Sequence, residues 1–277
     1  ALTEAAPDPS LPASLFVPMF APDEPDSEND GGSSFSNSYL VDDGGTCTAQ
    51  PTYCSRYDRK GACKQWSKVA IETAAAQSRI CKYAGQEPTR SPGPNLNCQT
   101  RSVLPMTSNQ AEVVSSIDAM VASGYTNIGE GLAWGWRVLS PGLPFAEGRN
   151  YGVVGNQKII VLMTDGENTY LNQSNMNKSH YNAYGFASKG RLGANYNEAS
   201  YRAKMDENLK TTCANARAAG ITIFTVAFRL ESSPATQALL SACASSSQYA
   251  YKAADGTALQ LSFEQIGKQL AKLRVAG

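Results

Sequence analysis

Two short apolar runs constrain this chain more than any other feature. Lys158–Thr164 and Ile221–Phe228 are each an almost unbroken stretch of β-branched and aliphatic residues. Runs of that length and composition suit strands covered on both faces, as in parallel sheets. Around them lie segments with helical spacing. Asn109–Val121 places Val113, Val114, Ile117, Met120 and Val121 on one face, and Asn127–Leu139 reads as a second helix. A long helix near Glu198–Ala219 stops at Gly220, where a left-handed residue can end it. Pro234–Ala244 reads as a helix, Gln248–Lys252 as a short strand and Thr257–Arg274 as a closing amphipathic helix. Alternating strands and helices with short links predict an α/β fold with a doubly wound, mostly parallel sheet over residues 107–277.

Residues 1–106 lack such periodicity. Six prolines between Pro7 and Pro25 exclude a helix there, and residues 21–62 read as a long loop. The apolar run Leu15–Phe20 is interrupted by Pro18 and is expected to dock on the domain as an edge segment. One helix is expected from about Cys63 to Cys81, on a loose apolar set including Trp66, Val69 and Ile80. The region therefore reads as a loop-rich, disulfide-containing insertion packed on the α/β core.

Charge narrows the function. The chain is neutral, with 24 basic and 24 acidic residues, which argues against nucleic acid as a partner. The acids are unevenly placed, since nine of them and no base fall within residues 1–55. Most such segments are simply solvated. No apolar run approaches the roughly 20 residues that cross a bilayer.

The seven cysteines contain no Cys-x-x-Cys pair and stand beside a single histidine, His180, so disulfides fit better than zinc. Cys213 lies near the end of the helix before the second apolar strand. Cys243 ends the helix after it. Those helices can be neighbours, which predicts a Cys213–Cys243 bond. Cys81–Cys98 is expected across the Ser91–Asn95 turn, leaving Cys47, Cys54 and Cys63 as one pair and one orphan.

In doubly wound sheets ligands bind beyond the carboxyl ends of the strands. The first apolar strand delivers Asp165-Gly-Glu-Asn168 to that edge, and a carboxylate before a tight glycine turn suits a hard cation. The same dipeptide also serves as an ordinary turn. Thr126, in Gly124-Tyr-Thr-Asn-Ile-Gly-Glu-Gly131, is the second candidate, with a helix N-cap as its plain role. Gly129 and Gly131 suit close packing of this helix on the sheet. Glu167 can assist if its loop turns back.

Taken together, these segments resemble a von Willebrand factor A domain. That family holds a divalent cation at the top of its sheet through three loops. Thr126 and Asp165 match the second and third. More closely, residues 126–141, residues 161–169, Leu15–Asp26, Ala218–Phe224 and Ala242–Ser245 look like the TadG-type proteins of Tad pilus assembly. The resemblance implies Mg²⁺, with Mn²⁺ or Ca²⁺ as alternatives, held by Thr126 and Asp165, beside which Glu167 is the further candidate ligand. It implies a non-enzymatic, extracytoplasmic interaction or adhesion domain. Its partner would be a protein of the pilus or envelope assembly, and it would reach the membrane only through a missing N-terminal anchor. The family's first loop, Asp-x-Ser-x-Ser, has no counterpart: Asp8-Pro-Ser-Leu-Pro12 lacks the second serine, and Asp30-Gly-Gly-Ser-Ser34 has the wrong spacing. The chain is therefore expected to be a C-terminal piece that binds metal weakly or not at all, with the missing piece as a further partner.

Two rival classes remain. A metal-independent structural interaction domain would use the same fold without the cation. A hydrolase would need a nucleophile beside a base. There is no Gly-x-Ser-x-Gly elbow and no phosphate loop, and His180 falls in the polar stretch Asn172–Asn182.

Overall fold

The computed structural model describes residues 23, 39–40, 52–58, 60–68, 93, 100–172, 178–193 and 197–275. The chain divides into two compact units, Ala1–Phe16 with Gln99–Leu171 and Leu192–Gly277, and Val17–Cys98 with Asn172–Arg191.

The second unit holds an antiparallel pair, β1 (Thr52–Tyr57) and β2 (Cys63–Lys68). This corrects the last part of the expected long loop, at residues 52–57, and the expected helix start at Cys63. The turn decides the outcome. Asp58 Oδ1 accepts from Lys60 N and Ala62 N at 2.8 and 2.9 Å, and Gly61 takes φ +80°. These bonds hold the Asp58 carboxyl below its usual range, with the one from Ala62 contributing most. A closed turn between two six-residue segments, the first carrying Thr52, Tyr53 and Tyr57 and the second Trp66, favours pairing over a loosely spaced helix.

Not every N-terminal acid is solvated. Asp23 is buried, and its Oδ1 accepts from Tyr39 N and Leu40 N at 2.6 and 2.8 Å. Burial, and secondarily the Asp23 charge, push the Tyr39 phenol up to about 12. His180, expected in a polar loop, is buried, which lowers its pKa. Beside it the Ser179 hydroxyl donates to His180 O and accepts from Ala187 N. Leu15–Phe20, Cys47, Cys81 and Cys98 lie outside the described residues, as do the side chains of Cys54 and Cys63.

The first unit carries the α/β core. Its elements are α1 (Gln110–Asp118), α2 (Ile128–Leu139), β3 (Ile159–Thr164), α3 (Glu198–Ala218), β4 (Thr222–Phe228), α4 (Pro234–Cys243), β5 (Ala250–Ala253) and α5 (Gly256–Val275). The three strands form a parallel sheet in the order β3-β4-β5, with Ile160 opposite Ile223 and Val226 opposite Tyr251. On one face Ile160, Leu162, Ile223 and Ala227 pack with Ile128, Leu132 and Trp136 of α2, Leu209 and Cys213 of α3, and Leu239 and Leu240 of α4. On the other, α5 covers Phe224 and Val226 of β4 and Ala253 of β5.

β4 is buried throughout its central residues, as expected. β3 is not. Its residues alternate, leaving Val161 and Met163 37% and 48% exposed. The reason is position. Among the described residues β3 is one edge of the sheet, and α5 packs chiefly over β4 and β5. α1 likewise buries none of its residues, and Val114 and Ile117 are exposed.

The glycine reading of α2 needs one correction. A side chain at Gly129 would meet Leu209 of α3 rather than the sheet, and at Gly131 it would meet nothing. The carboxyl end of α2 is closed by Lys158, whose ammonium donates to Leu139 O and to Arg149 O and lies 4.5 Å from the Tyr151 ring centre. A buried ammonium is tolerable there because both carbonyls and the aromatic face receive it.

The predicted Cys213–Cys243 disulfide is present, with a Cα separation of 5.2 Å. It joins α3 to α4. Arg217, one turn further along α3, donates to the carbonyls of Ala242, Cys243 and Ala244 and caps α4 at the same end.

Candidate functional site

The candidate site lies at the carboxyl end of β3, where the strand's direction places the following loop at the head of the sheet. The loop turns at Asp165–Gly166. The Thr164 hydroxyl makes the turn, accepting from Gly166 N at 3.2 Å and donating to Gly166 O at 3.0 Å. The Asp165 carboxylate is therefore not what holds the turn, and its residue is exposed.

Thr126 stands at the start of α2. Its plain role as helix cap is taken by its neighbour, since Asn127 Oδ1 accepts from Glu130 N at 3.1 Å. The Thr126 hydroxyl instead faces the β3 loop. A Cβ added at Gly166 would come to 3.1 Å from Thr126 Oγ1, closer than ordinary contact, so glycine leaves the two loops room to approach without a shift. Thr169 N donates to Thr126 O at 2.9 Å and locks the juxtaposition through the backbone.

Glu167 is engaged elsewhere. Its Oε1 accepts from Ser233 Oγ at 3.0 Å and its Oε2 from Arg202 Nη1 at 2.5 Å. Both interactions, Ser233 first, hold its carboxyl below the ordinary range. The brace from β3 to α3 and to the start of α4 is thus complete at neutral pH. It loosens as pH falls through that lowered value. Glu130 lies in the first turn of α2.

Asn168 is the residue that sequence reasoning missed. It is 2% exposed, accepts from Ile128 N at 2.8 Å and donates to Asp206 Oδ1 at 2.8 Å. Only its place two residues after the Asp-Gly turn marked it, and nothing local marked Asp206.

With this geometry established, comparison with known families is decisive. A family model described as the von Willebrand factor type A domain matches residues 95–265. The chain belongs to the von Willebrand factor type A family. A domains generally mediate protein–protein interaction, often with a metal, and are typically not enzymes. No curated protein and no solved structure matches the chain. In this A domain the hydroxyl of Thr126 and the carboxylate of Asp165 are hard oxygen donors on adjoining loops, which suits Mg²⁺ with water completing six positions. No group of three or more His, Cys, Asp or Glu able to hold a metal occurs among the described residues.

Proposed function

We propose that this A domain is an extracytoplasmic protein-binding module. Its contact is assisted by a divalent cation, Mg²⁺ or a relative, held between Thr126 and Asp165. The observation that carries the reading is the Thr126 hydroxyl set against Gly166 while Asn127 does the capping. A hydrated cation there has open positions that a partner's carboxylate can fill, which makes an adhesion contact rather than a catalytic one. Glu167, bonded to Ser233 and Arg202, serves as a brace and not as a ligand. The Cys213–Cys243 bond favours an oxidising compartment such as the periplasm or cell surface. Likeness of residues 126–141 and 161–169 to TadG-type proteins favours a role in assembly or envelope anchoring of Tad/Flp-type pili. The free outer edge of β3 among the described residues suits a further strand whose Asp-x-Ser-x-Ser loop would complete the shell. Adding such a segment is expected to raise cation affinity by orders of magnitude.

A second reading, a metal-independent interaction domain, draws on the small donor set. Calorimetric titration of Mg²⁺ separates the two. The wild-type chain gives weak but measurable heats. Asp165→Ala removes them, and stability stays within about 0.5 kcal/mol because the carboxylate is exposed. Equal heats in both proteins would leave the metal-independent reading.

A further inference from the structure

We infer that Asn168 and Asp206 are a positioning pair that sets the spacing of the two site loops and through it the cation affinity. The affinity part rests on the cation reading above, whereas the loop-spacing part stands on geometry alone.

Asn168 sits between three elements. Its Oδ1 receives Ile128 N, an amide in the first turn of α2 that has no partner within the helix. Its Nδ2 donates to Asp206 Oδ1 on α3. An amide is the side chain that offers an acceptor to one neighbour and a donor to the other. A carboxylate at 168 would face the Asp206 carboxylate, and an aliphatic residue would strand the Ile128 amide in a buried position.

The bond to Ile128 N lies two residues beyond Thr126, and the next residue in the loop, Thr169, bonds Thr126 O. Asn168 therefore fixes the same short stretch of α2 that presents the Thr126 hydroxyl to Gly166. Its bond to Asp206 anchors that stretch to α3, which the disulfide and Arg217 tie to α4. Neither Asn168 nor Asp206 need touch a cation. Partners that orient ligands in this way commonly change metal affinity by about 10–100-fold when removed.

The test uses the full chain as wild type, Asn168→Ala, Asn168→Asp, Asp165→Ala and the reciprocal Asn168→Asp/Asp206→Asn pair. Mn²⁺ affinity and amide exchange at Ile128 and Thr169 are read on each, with thermal midpoints as a folding check. Both single Asn168 variants are expected to weaken Mn²⁺ about tenfold and to speed exchange at both amides. The reciprocal pair restores both, because the new carboxylate at 168 accepts from Ile128 N and from the new amide at 206, with net charge unchanged. Asp165→Ala loses Mn²⁺ but keeps the amide protection. Wild-type Mn²⁺ affinity and protection in Asn168→Ala, or a reciprocal pair that recovers neither, would overturn the inference. A wild type that binds no Mn²⁺, with exchange still following Asn168, would sink the cation reading and uphold the loop-spacing part.

Discussion

Replacing Cys213 and Cys243 together by alanine is expected to lower the stability of the α/β unit by about 3–4 kcal/mol. The bond closes a loop of 30 residues that contains β4 and most of α4. Opening it returns that loop's freedom to the unfolded chain. Both cysteines are buried against Leu209, Ile223 and Leu240, so shorter side chains also lose packing. The fold should survive, because Arg217 still caps α4 from α3 and the sheet face beneath is unchanged. Denaturant titration of wild type and double variant measures the difference. A loss under about 1 kcal/mol would show that the unfolded loop is already restricted.

The second large effect contrasts two residues on one face of one sheet. Phe224, at the centre of β4, is fully buried and packs 4.3 Å from the Tyr249 ring centre. Phe224→Ala is expected to cost about 3–5 kcal/mol. Met163 lies on the same face of β3, outside the cluster that α5 covers, and is half exposed. Met163→Thr is expected to cost about 0.5 kcal/mol. Comparable losses at both sites would mean that β3 is covered in solution as thoroughly as β4.

That contrast also shows what the sequence could carry. An apolar run announces a strand, and the periodic segments around it announce helices, so β3, β4 and the helices α2 to α5 fall within a few residues of their expected positions. The run does not say whether each face has a neighbour. β3 reads as apolar as β4, yet Val161 and Met163 are exposed, while Ile159, earlier on the same face, packs with the cluster that α5 covers. The β1–β2 pair was illegible for a different reason. Its strands are short, and the pairing is set by the Asp58–Ala62 turn rather than by a strong alternation.

At the site, Thr126 and Asp165 were legible because each sits at a punctuation point, a helix start and a strand end. What joins them was not. Asn168 reaches Ile128 across 40 positions and Asp206 across 38, and neither pairing leaves a local trace. The commitment of Glu167 to Ser233, 66 residues away, is equally invisible until the chain is folded.

In the function proposed above, a divalent cation seats between Thr126 and Asp165. Paramagnetic broadening of backbone amide signals by substoichiometric Mn²⁺ tests it most directly. The account predicts that the amides of Thr126, Asp165 and Gly166 broaden first, and that Asp165→Ala abolishes the effect at all three. Broadening centred on the nine acids of residues 1–55, with those three amides unchanged, would contradict it.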